Sequence, residues 1–287
     1  MSRMGVWFMR AIAPLPLAWI RALGLALGWL LYVLVPSRRH VVASNLRVCF
    51  PSWDERRRRR VARATFVHVA QSFLDRAWLW HADPQVVRRR LAITGAVHEL
   101  AGSEPTIVFA PHFVGLDAGV TALTQQLPRG LVGIYTRQSN KVVDEWVLAG
   151  RHRFGRTRPM SRAEGVRELV AALRAGDLMY LLPDMNFGPE ESIFVPFYGV
   201  PAATVPSLSR FARLGRAKVV PLVTRLTPGG YEVRVLPAWR DFPTANVAAD
   251  TALMNQRLQG YIDPMPDQYY WVHKRFKTRP AGEPPVY

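Results

Sequence analysis

From residue 91 onward, short apolar runs alternate with helical stretches, and this alternation constrains the fold more than any other feature of the chain. The runs TIVFA, LVGIYT, DLMYLLPD and AKVVPLVTRL have the length and the branched or aromatic content of buried β-strands. Helical stretches between successive strands are typical of an α/β sheet whose two faces are both covered. The sequence therefore predicts an α/β fold, in which residues 37–287 form one domain.

The segments between and after these runs predict further elements. The turn TPGG separates AKVVPLVTRL from YEVRVLPAW and predicts a β-hairpin. Residues 141–150, 161–177 and 248–262 are predicted as helices, and so is the segment PSLSRFARLGR. The segment NFGPEESIFVPFYGVPAAT, which precedes PSLSRFARLGR, is predicted as a loop.

The N-terminal segment 11–35 is apolar except for Arg21. Its uninterrupted part is shorter than the roughly 20 residues that cross a bilayer, although about 25 residues are available to a tilted helix. Residues 1–36 are therefore predicted to be a membrane anchor or an embedded segment. Three arrangements stay open: the segment spans the bilayer, it lies in the interface with Arg21 reaching the headgroups, or it forms a buried helical hairpin.

The chain carries a large surplus of basic residues. It has 38 Lys and Arg against 21 Asp and Glu, a net charge of +17. A field of this size attracts polyanions, whether nucleic acid, anionic lipid or an acidic carrier protein, and composition does not choose among them. Arg38, Arg39 and Arg47 follow the apolar segment, and by the positive-inside rule they favour a cytoplasmic location for the rest of the chain. Cys49 is the single cysteine, so an internal disulfide is excluded.

Five consecutive arginines, 56–60, stand at the start of a predicted helix. Ser52 and Glu55 have the spacing of a capping box, which predicts that this helix starts just after Pro51. Five consecutive residues cover more than one helical turn, so these arginines cannot share one face. They are interpreted either as a solvated helix start or as a contact for lipid headgroups or a carrier protein.

The stretch APHFVGLDAG joins the strand TIVFA to the next predicted helix. His112 follows the strand, and Asp117 lies five residues later in the first turns of the helix. In open α/β sheets the chemistry usually lies at the carboxyl ends of the strands, which is where His112 is predicted to lie. A neutral imidazole can act there as a general base, and a carboxylate bonded to its second nitrogen would fix the tautomer. The alternative is a histidine whose hydrogen bonds serve only the fold.

The nucleophile of the predicted reaction is expected to belong to the substrate. The chain has no Ser or Cys in a nucleophile elbow of the G-x-S-x-G type. A hydroxyl group of the substrate would then give its proton to His112 and attack directly. The pattern predicts acyl transfer without a covalent enzyme intermediate.

Five blocks of the sequence resemble one family. In chain order they are the His112-Asp117 pair, IYTRQSN, GRHRFG, LLPDMNFGPEESIFVPFYGVPAAT and WVHKRFKTRP. Together they resemble the lipid A biosynthesis acyltransferases of the lauroyl and myristoyl type, across essentially the whole chain. The resemblance implies a glycerolipid-acyltransferase-like sheet with helices on its faces, preceded by N-terminal membrane-associated helices. Many members carry Glu where this chain has Asp117, whereas the wider glycerolipid acyltransferase superfamily carries Asp.

The resemblance also implies roles for site residues. His112 would be the catalytic base and Asp117 its partner. Basic residues in two of the blocks would hold lipid phosphates or the carrier's phosphopantetheine, or face the oxyanion. Two polar residues that follow a strand would orient those arginines or bound substrate. These substrate-binding candidates are Arg137, Arg151, Arg153, Asp184 and Asn186.

The reaction implied by the resemblance moves a fatty acyl chain from acyl carrier protein to a hydroxyl of a lipid A precursor, on the cytoplasmic face of the inner membrane. The implied partners are acyl carrier protein, the lipid A precursor and anionic inner-membrane lipid, and no nucleic acid is expected. No cofactor or metal is expected, since the seven histidines are scattered. His273 and Lys274 are interpreted as a basic docking surface, with a plain C-terminal strand as the alternative.

Two rival interpretations stay open. One is an acyltransferase with another lipid acceptor, such as a lysophospholipid, an ornithine lipid or a glycolipid. The other is a non-catalytic basic membrane protein that binds nucleic acid or anionic lipid, for which salt would weaken binding steeply.

Overall fold

The computed structural model describes residues 3–160 and 165–287. The helices of this part of the chain are α1 Arg3–Ile12, α2 Leu17–Leu34, α3 Pro36–Cys49, α4 Glu55–His81, α5 Pro84–Arg89, α6 Leu116–Gln126, α7 Lys141–Arg151, α8 Val166–Arg174, α9 Ser207–Gly215 and α10 Val247–Ile262. The strands are β1 Leu91–Gly95, β2 Thr106–Phe109, β3 Leu131–Ile134, β4 Thr157–Met160, β5 Leu178–Leu181, β6 Ile193–Phe197, β7 Val200–Thr204, β8 Lys218–Thr227 and β9 Gly230–Val235.

The main sheet has seven strands in the order β1-β9-β8-β2-β5-β3-β4. Strands β8 and β9 are antiparallel, and the other neighbouring pairs of this sheet are parallel. Helices cross over between the parallel strands and cover both faces, so the predicted α/β fold is confirmed. The parallel arrangement brings the carboxyl ends of β2, β3 and β5 to one edge of the sheet.

Each face of the sheet has its own apolar core. In β2, Ile107 and Phe109 pack against α3, α8, α9 and α10, whereas Val108 packs on the other face with α1, α4 and α6. Successive residues of a strand point to opposite faces, so both faces of β2 need apolar side chains. This explains why TIVF is a continuous apolar run rather than an alternating pattern.

Most predicted elements are present, with two differences in the strands. The hairpin at TPGG is confirmed, with Thr227 paired to Gly230 at its turn. The segment predicted as a loop instead contains the antiparallel pair β6–β7, closed by Tyr198 and Gly199 at positive φ. In addition, β1 and β4 were not predicted. The first four residues of the helix predicted over 161–177 lie outside the described residues, and α8 begins at Val166.

Helix α4 begins three residues later than its predicted cap. Asp54, rather than Ser52, is the N-cap: its carboxylate accepts a hydrogen bond of 2.6 Å from the backbone N–H of Arg57. Glu55 lies inside the helix and pairs with Arg58 and Arg59 instead of closing a capping box. The prediction of a Ser52–Glu55 box was wrong because an acidic residue nearer the helix satisfies the same donors.

Helix α2 packs along α4 through two glycines. A Cβ on Gly24 would lie 2.6 Å from Cγ of Gln71, and one on Gly28 would lie 2.5 Å from Cα of Val67, so only glycine allows this approach. The predicted boundary at residue 36 falls at the first residue of α3. Nevertheless, α2 is joined by close packing to α4, which lies beyond that boundary.

Arg21 links α2 to α4 and to the sheet by an ion pair and a hydrogen bond. Its guanidinium lies 3.0 Å from Oδ2 of the buried Asp75 and donates a hydrogen bond of 3.2 Å to the carbonyl oxygen of Gly230. Trp78 and Tyr231 also donate to the carboxylate of Asp75. The arrangement in which Arg21 reaches the lipid headgroups is therefore wrong, because its charge is paired inside the protein.

The outer faces of α1 and α2 are apolar and exposed. Within the described residues one helix, Leu17–Leu34, is long and apolar enough to cross a bilayer, with a mean hydropathy of 1.8. The large exposed apolar residues are Met4, Trp7 and Phe8 of α1 and Trp19, Leu23, Leu25, Trp29, Leu30, Val33 and Leu34 of α2. A contiguous apolar surface of this kind marks a site of membrane or protein contact.

Candidate active site

His112 is held at the carboxyl end of β2 by a buried carboxylate. Its Nδ1 lies 2.7 Å from Oδ1 of Asp184, and its backbone N–H donates a hydrogen bond of 3.0 Å to Oδ2 of the same residue. The hydroxyl of Tyr269 donates a further hydrogen bond of 3.0 Å to Oδ2. Three donors therefore fix Asp184, which in turn fixes both the ring and the backbone of His112.

The register of the sheet explains this pairing. Strands β2 and β5 are neighbours, and Phe109 is paired with Leu181. Continuing the same register for three residues places His112 opposite Asp184, and each of the two follows a proline, Pro111 or Pro183. The carboxyl ends of adjacent parallel strands thus deliver the imidazole and the carboxylate to the same point.

The hydrogen bonds of Asp184 determine which ring nitrogen of His112 carries a proton. Burial raises the pKa of Asp184, but the charge of His112 and the hydrogen bonds from its ring and backbone outweigh burial and hold this pKa below its usual value. An ionised carboxylate only accepts hydrogen bonds, so Nδ1 of His112 carries a proton. Nε2 of a neutral ring is then the nitrogen that can accept a proton from another molecule.

Asp117 has different partners. Its Oδ2 accepts a hydrogen bond of 2.7 Å from Nε of Arg76, and its Oδ1 accepts hydrogen bonds of 3.1 and 3.0 Å from Nε and Nη2 of Arg151. Burial raises the pKa of Asp117, but the two guanidiniums outweigh burial and lower it to about 2. The predicted hydrogen bond between Asp117 and His112 is therefore wrong, since both oxygens of the carboxylate bind arginine.

The geometry of α6 sets the direction of Asp117. Gly115 and Gly119 face the sheet, where a Cβ would lie 2.5 Å from Cγ2 of Thr224 and 2.8 Å from its Oγ1, respectively. Asp117 lies midway between them, about 200° around the helix from each, and so faces α4 and α7 rather than the strands. The φ of Gly115 is −83°, which any residue can adopt, so backbone conformation does not require glycine at this position. Gly115 lets the helix approach the sheet.

His112 is one of the residues that line a mainly apolar cavity. The volume of the cavity is about 690 Å³, within the range of roughly 300–1,000 Å³ typical of small-molecule sites. The wall is mainly apolar, and Arg151, Arg158 and Arg210 supply positive charge. Apolar residues of its wall include Leu116, Leu131, Ile134, Leu169, Leu181 and Phe211. The cavity is suited to a long apolar chain whose polar end lies near His112.

The substrate-binding candidates divide into two groups. Arg151 lines the cavity, and the exposed Arg137 lies between Thr136 and Gln138, which also line it. Arg153 lies elsewhere: it donates to the carbonyl oxygens of Leu79 and Ala82 at the end of α4. The prediction that Arg153 binds substrate is not supported by the geometry, because its guanidinium joins α7 to α4.

Asp184 and Asn186 also differ from their predicted roles. Asp184 is fully buried beneath His112, so it is a partner of the base rather than a contact for substrate. The amide of Asn186 donates to the carbonyl oxygen of Arg275 and accepts from Thr278 and from the backbone of Gly188. Its side chain is thus occupied in binding the C-terminal segment to the loop after β5.

The C-terminal segment contacts the backbone of the two loops that carry His112 and Asn186. The backbone N–H of Tyr270 donates to the carbonyl oxygen of His112, and Nε2 of His273 accepts from the backbone N–H of Asn186. Burial and the charge of Arg275 lower the pKa of His273 to about 4, so this ring is neutral. Lys274 is exposed, but His273 is not part of a basic docking surface as predicted.

For two residues of the site, no local sequence pattern predicts a functional role. Arg76 lies in the middle of α4, and Tyr269 lies in an irregular C-terminal segment. By contrast, the role of Asp184 has a signal, which is the occurrence of Pro-His and Pro-Asp after two predicted strands. Pairing those strands would have predicted the contact.

Comparison with known proteins identifies the family. The family model described as bacterial lipid A biosynthesis acyltransferase matches residues 2–278. The chain belongs to this family. The predicted resemblance is confirmed, and the lipid A acyltransferase is an enzyme that transfers acyl groups.

Curated relatives agree along most of the chain. The lipid A acyltransferase is 30% identical to the lipid A biosynthesis lauroyltransferase of Escherichia coli, over 99% of this chain and 94% of that protein. It is 31% identical to a lipid A biosynthesis acyltransferase of Haemophilus influenzae, over 98% and 88% of the two chains. The lipid A biosynthesis myristoyltransferase of Escherichia coli is 30% identical, over 86% of this chain and 77% of that protein.

Among solved structures, the lipid A acyltransferase is similar to the 1-acyl-sn-glycerophosphate (LPA) acyltransferase PlsC from Thermotoga maritima. The TM-score is 0.40 and the sequence identity is 11%, over 85% of this chain and 97% of that chain.

Proposed function

We propose that this enzyme transfers a fatty acyl chain from acyl carrier protein to a hydroxyl of a Kdo-bearing lipid A precursor, with His112 as the general base. The observation that carries the proposal is the pairing of the buried Asp184 with His112, which lines an apolar cavity. Membership of the family supports lipid A as the acceptor. The acyl carrier protein donor is carried over from the family resemblance, and the role of His112 is inferred from the geometry of the site.

The proposed proton route starts at the acceptor. Nε2 of His112 takes the hydroxyl proton as the oxygen attacks the thioester carbonyl. The C–O bond forms and the C–S bond breaks, and the imidazolium returns the proton to the leaving thiolate. Asp184 stabilises the imidazolium during these steps and keeps the ring in one orientation. Atoms and charges balance with groups of the chain and the two substrates, so we propose that no metal or cofactor takes part.

The cavity is proposed to bind the acyl chain of the donor. Its apolar wall excludes water from the chain, and its opening beside His112 brings the carbonyl to the base. Arg151 lies in the wall and is held by Asp117, so a preorganised guanidinium is available for the developing oxyanion. Asp117 would then contribute to catalysis by positioning Arg151. Arg137, at the mouth, is proposed to bind phosphate groups of the substrates.

The surplus of charge suits the proposed partners. Acyl carrier protein is acidic, and lipid A precursors and the cytoplasmic leaflet carry negative charge, so a chain of net charge +17 attracts all three. These interactions account for the basic character without nucleic acid, which we do not expect as a partner.

We propose that the enzyme associates with the cytoplasmic face of the inner membrane through α1 and α2. One side of α2 packs on α4, and α4 carries charged residues along its length, including Arg63, Asp75 and Arg76. A helix fastened to such a neighbour cannot enter the hydrocarbon core alone, since charged groups there are costly. We therefore place α2 in the plane of the interface, with its exposed apolar side toward the lipid.

The test uses purified enzyme in detergent with an acyl-acyl carrier protein donor and a Kdo-bearing lipid A precursor. We expect His112→Ala to lower kcat about 10³-fold, the size of a general-base contribution, without changing the melting temperature by much. The matched control is His98→Ala, which changes an exposed histidine outside the cavity and should leave kcat unchanged.

Two outcomes would contradict parts of the proposal. Full activity of the His112→Ala enzyme would exclude the general base. Acylation of a lysophospholipid or an ornithine lipid in preference to the lipid A precursor, still dependent on His112, would keep acyl transfer but overturn the acceptor.

A further inference from the structure

A cluster of arginines surrounds the C-terminal end of α2 and is not used by the proposed reaction. It is formed by residues that follow α2 on α3 and by the arginine run at the start of α4. The members are Arg38, Arg39, Arg47, Arg56, Arg57, Arg58, Arg59, Arg60 and Arg63. Along α4, Arg59 and Arg76 are 17 residues apart, which corresponds to about 25 Å at 1.5 Å per residue. The arginine run is therefore well separated from the contact between Arg76 and Asp117, whereas Arg38 donates to the carbonyl oxygen of Val272 in the C-terminal segment.

Part of this cluster forms a small pocket, which we call the arginine pocket. Its volume is about 180 Å³. For comparison, one water molecule occupies roughly 30 Å³, so the pocket can hold a phosphate with a few waters but not a folded partner. Its walls are Tyr32, Arg39, Ala43, Arg47, Glu55, Arg58, Arg59 and Ala62.

The arginine pocket has an uncompensated positive charge. Four guanidiniums face one carboxylate, that of Glu55, which pairs with Arg58 at 3.4 Å and with Arg59 at 3.0 Å. No acceptor among the described residues contacts the side chain of Arg47. Three positive charges thus remain for a ligand, and the surplus favours an anion over a cation or a neutral molecule.

Two of the guanidiniums are held in place before any ligand binds. Arg58 donates to the carbonyl oxygens of Phe50 and Pro51, at 3.2 and 3.4 Å. Arg39 donates to the carbonyl oxygen of Tyr32 at 3.0 Å, and its guanidinium lies 5.4 Å from the centre of the Tyr32 ring. A guanidinium with a fixed orientation loses less entropy when it binds phosphate.

The arginine pocket lies beside the exposed apolar side of α2. Tyr32 forms part of its wall, and its neighbours Val33 and Leu34 are 58% and 64% exposed. Nearby, the guanidinium of Arg63 lies 5.6 Å from the centre of the exposed Trp29 ring. Apolar surface next to fixed guanidiniums matches the boundary between acyl chains and headgroups in a leaflet.

We propose that the arginine pocket binds the phosphate of an anionic phospholipid headgroup in the leaflet on which α2 lies. The bound lipid is proposed to be distinct from the acyl acceptor, because no residue that lines the arginine pocket also lines the cavity beside His112. This inference rests on the proposed membrane association, but it does not depend on acyl transfer. It assigns a function to the arginine run, which would otherwise be unfavourable near the positive end of the α4 dipole.

The test measures flotation of the purified full-length enzyme with vesicles. One vesicle type is pure phosphatidylcholine, and the other contains one third phosphatidylglycerol. The variant R39Q/R47Q/R59Q removes three charges from the arginine pocket and leaves the structural Arg58. The control R156Q/R216Q/R240Q removes three exposed arginines near the amino-terminal edge of the sheet, with the same change of net charge.

We expect the pocket variant to bind phosphatidylglycerol vesicles at least about tenfold more weakly than the wild type, since each basic residue near an anionic surface contributes on the order of a severalfold change in affinity. The control variant should lose less than about threefold, and His112→Ala should bind as the wild type does. All proteins should bind phosphatidylcholine vesicles equally, because the apolar side of α2 is intact. Failure of every protein to bind either vesicle would refute membrane association itself.

Three results would overturn the headgroup site. Equal losses in the pocket and control variants would indicate a nonspecific charge effect. Stabilisation of the wild type by inorganic phosphate alone, lost in R47Q, would indicate a free anion as the ligand. Binding of acyl carrier protein that is lost in the pocket variant, with unchanged vesicle binding, would indicate a carrier contact instead.

Discussion

Two buried carboxylates lie near the carboxyl edge of the sheet, and they have different kinds of partner. Asp184 accepts hydrogen bonds from the ring and backbone of His112 and from Tyr269. Asp117 accepts hydrogen bonds from Arg76 and Arg151. The first carboxylate faces an imidazole, whereas the second faces guanidiniums, which stay charged.

This difference indicates separate tasks for the two residues. A carboxylate beside imidazole controls which ring nitrogen carries the proton, so we expect Asp184 to act on proton transfer. A carboxylate between guanidiniums fixes positive charge in space, so Asp117 acts on the position of Arg151 in the cavity wall. Sequence proximity to His112 favours Asp117, but the pairing of strands selects Asp184.

The largest expected effect is that of Asp184→Asn. The amide can accept or donate toward Nδ1, so the ring is no longer restricted to the productive tautomer, and kcat should fall about 10³-fold. The ¹⁵N shifts of the His112 ring should report a changed tautomer, which a purely structural role of Asp184 would not produce. Unchanged ring shifts together with unchanged kcat would contradict the assignment of Asp184 as the positioning residue of the base.

Asp117→Asn should have a smaller effect on kcat, about 10²-fold, because Arg151 loses the carboxylate that holds it. The free energy of unfolding should fall by about 2 kcal/mol, less than for a fully buried pair, since the side chains of Arg76 and Arg151 are 28% and 24% exposed. The control is Asp117→Glu, which keeps the charge and should retain activity within about tenfold. A changed tautomer of His112 in Asp117→Asn would contradict the separate roles assigned to Asp117 and Asp184.

Gly119→Ala tests how α6 directs Asp117. The added Cβ would lie 2.8 Å from Oγ1 of Thr224 and 2.9 Å from the hydroxyl of Tyr180, and we expect a loss of about 2 kcal/mol in the free energy of unfolding. Gly260→Ala is the matched helical control, with no atom near the added Cβ, and should stabilise by about 0.5–1 kcal/mol. Equal melting temperatures for the two variants would refute close packing of α6 on the sheet.

The last expected effect is a pH dependence of stability, and it concerns two histidines that differ from His112. His81 and His273 each accept an N–H hydrogen bond at Nε2, and burial lowers the pKa of each from 6.5 to about 4. The unfolded chain then binds protons first, so the free energy of unfolding should fall as pH decreases from 6.5 toward 4. Denaturant titrations across this pH range should show a smaller decrease in the free energy of unfolding for His273→Asn than for the wild type. An unchanged slope would indicate that His273 titrates alike in both states.

Part of the candidate site was predictable and part was not. His112 was predictable as the base candidate because it follows a buried strand, and strand ends are recognisable from local patterns. Asp184 was predicted only as a substrate contact, because its role depends on which strands are neighbours. Arg76 was not predicted, because a guanidinium in the middle of a long helix has no distinctive local pattern.

The sequence by itself determined the α/β class, the hairpin at TPGG, the apolar N-terminal segment and the family. Each of these depends on periodicity, turn chemistry or long motifs, which are local properties of the chain. The tertiary structure alone decided which carboxylate serves His112 and where Arg21 lies. These outcomes depend on the strand order, which brings β2 beside β5, and on the packing of α2 against α4. Contacts between distant residues follow from how whole elements pack, and no local pattern contains that information.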